Sequence, residues 1–215
     1  MSAYGRTPRD ERRRRLGQNF LHPETADRLV AEAGFRRGEL VVEVGAGPGP
    51  ITLALAHRAV DVIAVERDPM WAKRLRDLVR RVAAARVRVV EAHVLALPLP
   101  ARPFRVIGSL PFGQTTSILR RLLDDPTVPL ERADVIVQWE VARKRAAVPP
   151  STMLSTAWAP WWEFRLGRRI PATEFRPVPQ VDAGVLVIRR RQRPLLPLAM
   201  AGRYGDFVRA HWPFD

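Results

Sequence analysis

Three glycines on alternate positions, Gly45, Gly47 and Gly49, follow the apolar run Val41-Val42-Glu43-Val44 and precede a helix-compatible segment, Ile51 to Arg58. Strand, tight turn and helix start together make an anion site. The helix start turns unpaired N–H groups and a positive dipole end towards the turn, and glycine lets backbone and ligand come close. Spacing and charge then separate the ligands. Dinucleotide sites prefer G-x-G-x-x-G, but here the third glycine comes one position early and Pro48 and Pro50 stiffen the loop. Glu43 would repel a pyrophosphate, yet it suits a ligand carrying an ammonium group beside a carboxylate. S-adenosylmethionine (SAM) has both. A second apolar run, Val62 to Val65, ends at Glu66, 17 residues past Gly49. That is close to the offset of about 20 at which a second strand's acid meets ribose hydroxyls.

The elements that must hold these residues are legible as an alternation. Ala26, Leu29, Val30 and Ala33 recur at helical spacing behind Pro23, and Gly34 closes that helix. A helix over Trp71 to Val82, a strand over Val87 to Val90 and a strand over Phe104 to Gly108 come next. Thr115 or Thr116 is placed to cap a helix running to Leu123. Ala133 to Trp139 is apolar enough for a buried parallel strand. The aromatic group Trp158, Trp161, Trp162 and Phe164 opens a strand-like stretch to Ile170 and reads as packing rather than a base-stacking platform. A proline-rich loop over Pro171 to Pro179 leads to a last strand, Ala183 to Ile188. The expected class is α/β: a Rossmann-like, mostly parallel sheet with helices on both faces. Its ligand lies at the carboxyl ends of the strands, where Gly45, Glu66, His93 and Ser109 fall.

Composition narrows the partner. The chain has 215 residues, 47% of them hydrophobic, and a net charge of +14, which points to a polyanion, nucleic acid before membrane. Lysine occurs only at Lys73 and Lys144, so the excess is arginine, whose planar fork suits phosphate. Absence of cysteine excludes disulfides and thiolate chemistry. His22, His57 and His211 are too scattered for a metal site. The N-terminus lacks an apolar core and no run is long enough to span a bilayer, so a cytoplasmic monomer is expected. Residues 1–15, with Arg12, Arg13, Arg14 and Arg15, form a basic arm for RNA phosphates. Arg143, Lys144 and Arg145, and Arg189, Arg190 and Arg191, are the other candidate RNA contacts.

Four segments together resemble one family. Gln18-Asn19-Phe20-Leu21, Glu43 to Gly49, Ser109-Leu110-Pro111-Phe112 and Phe175 to Asp182 are similar to the Erm-type methyltransferases. Those dimethylate an adenine of large-subunit ribosomal RNA and confer macrolide, lincosamide and streptogramin B resistance; small-subunit dimethyladenosine transferases are more distant cousins. The resemblance covers roughly residues 12 to 192. It implies SAM as methyl donor and ribosomal RNA, 23S in particular, as substrate. It also implies a methyltransferase domain over 16–192 and a shortened helical segment over 193–215. The cofactor set it implies is Gln18, Asn19, Leu21, Glu43, Gly45, Gly47, Gly49, Glu66, His93 and Ser109. The catalytic set is Ser109, Leu110, Pro111 and Phe112, with Phe175 on the far face of the target base. Two positions depart from the family pattern. His93 stands where the family has an aspartate that accepts from the cofactor's adenine amine, and Ser109 where it has a catalytic asparagine. A neutral imidazole can still accept through one nitrogen, an imidazolium cannot, and a hydroxyl accepts one bond at shorter reach. Transfer to another base or atom, and a catalytically impaired SAM- and RNA-binding relative, stay open beside adenine-N6 methylation.

Overall fold

The structure is a computed structural model, and it describes residues 19–213. Residues 1–15 and Gln18 lie outside that range. Nine strands are present among the described residues: β1 (Phe20–Leu21), β2 (Leu40–Val44), β3 (Asp61–Glu66), β4 (Val87–Glu91), β5 (Phe104–Ser109), β6 (Leu130–Gln138), β7 (Trp162–Ile170), β8 (Phe175–Arg176) and β9 (Ala183–Arg190). The helices are α1 (Pro23–Ala33), α2 (Pro50–Ala56), α3 (Pro69–Arg81), α4 (Thr115–Leu123), α5 (Trp139–Arg145), α6 (Met153–Trp158) and α7 (Ala201–His211). Seven strands form one sheet in the order β4-β3-β2-β5-β6-β9-β7. The first five run parallel; β9 runs against them and pairs antiparallel with both β6 and β7. The expected α/β architecture is the one observed.

Each sheet face carries its own apolar core. Leu29 and Val30 of α1, Ile51 and Leu55 of α2 and Leu75 of α3 pack on one side. Ile118 and Leu122 of α4 and Trp158 at the end of α6 pack on the other. Strand β2 is buried along its whole length, which explains why its sequence is apolar without alternation. Trp158, Trp161 and Trp162 are at most 2% exposed, so the tryptophan group is core. Tyr204 of α7 meets Trp161 edge-on, and Val208 is buried, so the C-terminal helix is packed against the domain.

Three boundaries differ from the sequence expectation, two of them for identifiable physical reasons. Neither threonine caps α4: Thr115 is its first residue, and the hydroxyl turns back to the Pro111 carbonyl at 3.3 Å. Trp139 does not end β6 but starts α5, because its N–H is taken by the Asp182 carbonyl at 3.0 Å. β9 runs two residues further than expected, to Arg190.

One glycine fixes where β2 and β5 end. Gly108 has φ +154°, and a Cβ built on it would lie 2.2 Å from the Val44 carbonyl oxygen, a backbone atom that cannot move aside. The close approach brings the glycine turn after β2 beside Ser109. Gly108→Ala should therefore cost about 3 kcal/mol or more, at the overpacked end of core substitutions. Gly113→Ala, with open space around the added carbon, should change stability by less than about 1 kcal/mol. Urea unfolding of both variants checks the contrast.

Candidate functional site

The carboxyl ends of β2, β3 and β5 surround a cleft of about 930 Å³ that is partly open to solvent. Asn19, Leu21, Glu43, Gly45, Glu66, His93, Ser109, Leu110, Pro111, Phe112 and Phe175 all line it. Gly47 and Gly49 shape the turn without lining the cleft. Gly45 has φ +73°, and a side chain there would press on the Ser109 carbonyl at 3.3 Å, so the two halves of the site touch through backbone. Phe20, Arg67 and Gln114 also line the cleft. Sequence reasoning gave none of these three a site role, although Arg67 directly follows the acid at the end of β3 and could have been found by that position.

Glu66 is 6% exposed and held at both oxygens. One accepts from the Gly47 N–H at 2.8 Å, the other from the Asp68 N–H at 2.8 Å. These bonds satisfy a buried charge and fix the carboxylate's plane, while the remaining lone pairs stay available. Glu43 lies deeper, 1% exposed, and accepts from the Thr52 hydroxyl at 2.6 Å. Burial pushes its carboxyl up to about 7. The Thr52 bond opposes that rise and the Glu66 charge adds to it. A cation entering the cleft would favour the ionised form of Glu43.

On the opposite wall, the Pro111 carbonyl is engaged by the Gln114 N–H at 2.8 Å and by the Thr115 hydroxyl. No described group donates to the Leu110 carbonyl, and none bonds the Ser109 hydroxyl. Those are the two acceptors on this side. Phe112 is partly exposed, whereas Phe175 is 1% exposed and packed in the core with Leu21 and Ile170. Phe175 thus supports the cleft wall, and Phe112 is the ring with a face to offer. The wall is built from distant chain: β1 pairs antiparallel with β8, setting Leu21 opposite Phe175. The His22 N–H to the Glu174 carbonyl, at 2.9 Å, and the bond from Thr25 to the Glu174 side chain extend that ribbon.

His93 does not present the acceptor expected of it. Its Nδ1 accepts from the Leu95 N–H at 3.2 Å, capping the single turn Val94–Ala96. The proton of the neutral ring is then on Nε2, so the free edge of this imidazole donates. Three of the candidate RNA contacts are also committed elsewhere. Arg190 donates to the Leu130, Pro126 and Val128 carbonyls and lies over Trp162. Arg191 bonds the Ala159 carbonyl at 2.8 Å and Glu163. Arg145 bonds Thr152 at 2.7 Å and stacks on Trp158. Burial lowers the Arg145 and Arg190 pKa values, as expected for cations drawn into the fold. Arg143, which pairs with Glu140, Lys144 and Arg189 remain exposed. Among the described residues no three His, Asp or Glu gather as a metal site, and no helix is long and apolar enough to cross a membrane.

Residues 9–212 match the model of the family described as ribosomal RNA adenine dimethylase. The chain is 40% identical over 198 residues to an rRNA adenine N-6-methyltransferase of Corynebacterium diphtheriae, covering 92% of this chain and 74% of that protein. It is 43% identical over 204 residues to the mycinamicin-resistance protein MyrB of Micromonospora griseorubida, covering 94% of this chain but only 64% of that one. Among solved structures, the 23S rRNA methyltransferase ErmE superposes with a TM-score of 0.79 at 35% identity, over 89% of this chain and 78% of ErmE.

The state of Glu43 is testable without any ligand. Its folded value, about 7 against 4.5, is raised, so the stability it contributes is present below pH 4.5 and lost as pH climbs through 7. Glu43→Gln removes that loss and keeps an acceptor for Thr52. At pH 8 the variant should be the more stable protein by up to about 3 kcal/mol, and at pH 4.5 the two should agree within about 1 kcal/mol. Thermal unfolding across that range reads the difference.

Proposed function

The chain belongs to the ribosomal RNA adenine dimethylase family, and from that premise we propose that it methylates N6 of an adenine in ribosomal RNA, using SAM. The acceptor is 23S rRNA, and the modification confers macrolide- and lincosamide-type resistance. The protein acts as a cytoplasmic monomer. One observation carries this reading: a single cleft sets a cation-seeking carboxylate, Glu43, and a ribose-type acid, Glu66, across from two uncommitted acceptors, Ser109 Oγ and the Leu110 carbonyl.

The residues fit SAM. A buried carboxyl raised to about 7 is an anionic site that a positive ligand completes, and Gly45 leaves the backbone open to close approach. When bound, SAM supplies an electrophilic methyl group on a sulfonium. Everything else falls to the chain. The N6 lone pair of adenine is delocalised into the ring, so the nitrogen is a weak nucleophile. Acceptors aimed at its two hydrogens favour the pyramidal nitrogen of the transition state. The Leu110 carbonyl and Ser109 hydroxyl take that role. Phe112 stacks the base and holds it in line. The base must leave its helix to enter, which an unpaired ribosomal loop makes cheaper. At the cofactor end, His93 would offer its Nε2–H to the adenine as a donor, where a carboxylate would accept from the adenine's amine.

Tritiated SAM with ribosomal RNA, followed by nucleoside mass analysis, should yield methylated N6-adenosine. Label on another nucleoside, or none, overturns the assignment. Ser109→Asn should raise kcat, because one well-aimed acceptor is worth about 1–3 kcal/mol, roughly ten- to a hundred-fold in rate. His93→Asp keeps a cap for Leu95 and adds an acceptor for the amine. Calorimetry should find SAM bound about two- to ten-fold more tightly, the net value of one such bond.

A further inference from the structure

With Arg145, Arg190 and Arg191 spent inside the fold, Arg143, Lys144 and Arg189 are what those two clusters leave exposed, and further cations free to meet an anion lie elsewhere. Helix α3 supplies them. Lys73, Arg74, Arg80 and Arg81 are exposed along it. Asp77 pairs only with Arg80, while Lys73, Arg74 and Arg81 have no carboxylate partner among the described residues. Arg74, Arg80 and Arg81 line an open groove with Asp77, Leu78, Pro48 and Trp71: three guanidinium groups against one carboxylate.

A charged helix face alone would be only a solvated surface. Here the groove also contains Trp71, 8% exposed, whose indole N–H is buried without a hydrogen-bond acceptor. Arg74 lies over that ring, 5.2 Å from its centre. The groove and the cofactor cleft share walls. Pro48 lines both, and Phe20 of the cleft packs edge-on against Trp71 with ring centres 4.9 Å apart.

We propose that this groove binds the sugar–phosphate backbone of the substrate RNA beside the target nucleotide. Arg74 and Arg81 meet phosphates. The inference rests on the RNA-substrate reading above and gives it a docking track outside the cleft. Contacts of this kind set register and affinity, not sequence.

The test is binding of deproteinised 23S rRNA as a function of KCl concentration, with SAM affinity measured in parallel. Arg74→Ala/Arg81→Ala should flatten the slope of log K against log salt by about 1.4 to 1.8, the release lost with two phosphate contacts. The variant should raise KM for RNA while binding SAM as the parent does. An unchanged slope and RNA affinity in the double-arginine variant, beside a parent that binds and methylates RNA, overturns the groove. A parent that neither binds nor methylates RNA overturns the RNA-substrate reading itself.

Discussion

A buried carboxylate, Glu66, holds the working end of this protein in shape. Its two oxygens are bonded by backbone N–H groups from opposite sides, Gly47 in the glycine turn and Asp68 at the start of α3. Asp68 in turn caps α3 through the Met70 N–H at 2.9 Å. The turn after β2, the end of β3 and the first turn of α3 are therefore tied to one anion. Releasing that charge would leave two donors unpaired in a place water reaches poorly. The arrangement also makes a second demand. Glu43 is buried in the same wall, and two carboxylates so placed do not both ionise without cost. An entering cation resolves the conflict, so the geometry that builds the turn also creates its preference for a positive ligand.

The parallel strands, the glycine turn and α1 were legible because each rests on local chemistry: apolar runs, positive φ at glycine, proline at a helix start. What escaped was non-local. Phe175 and Phe112 look equivalent as aromatic site residues. Pairing of β8 with β1 buries the first and leaves the second partly open. Asn19 and Leu21 could be placed beside Phe175 only through family resemblance, since no periodicity links positions so far apart. The tautomer of His93 depended on a cap to Leu95, which no motif announces.

Arginine was the most misleading residue type, because composition counts charge without saying what the guanidinium touches. Arg105 is 5% exposed, bonds the Ala33 carbonyl at 2.7 Å and the Asp134 carboxylate at 3.2 Å, and lies over Phe35. It joins α1 to β5 and β6. Arg190 does comparable work on the loop before β6. Such residues use several donors of the planar fork at once, which lysine could not do in that geometry. A basic sequence therefore overstates the basic surface, and the excess that remains is concentrated where guanidinium groups lack internal acceptors.

The two departures from the family pattern share a physical consequence. An aspartate can cap a turn with one oxygen and accept from a ligand amine with the other, whereas a neutral imidazole has one acceptor. At position 93 that acceptor is spent on the Leu95 N–H. At position 109 an amide oxygen becomes a shorter hydroxyl that must also place its own proton. The first change removes a side-chain acceptor for an amino group, the second shortens one, and both leave the backbone in place. In the reaction proposed above, selection of an amine over an oxo group at the target base would rest mainly on the Leu110 carbonyl, next to a peptide unit anchored by the Leu110 N–H bond to the Ile136 carbonyl at 3.0 Å. A backbone acceptor cannot be lost by substitution of its own side chain. On that reading the chemistry of the target stays specified even where the side chains around it have changed.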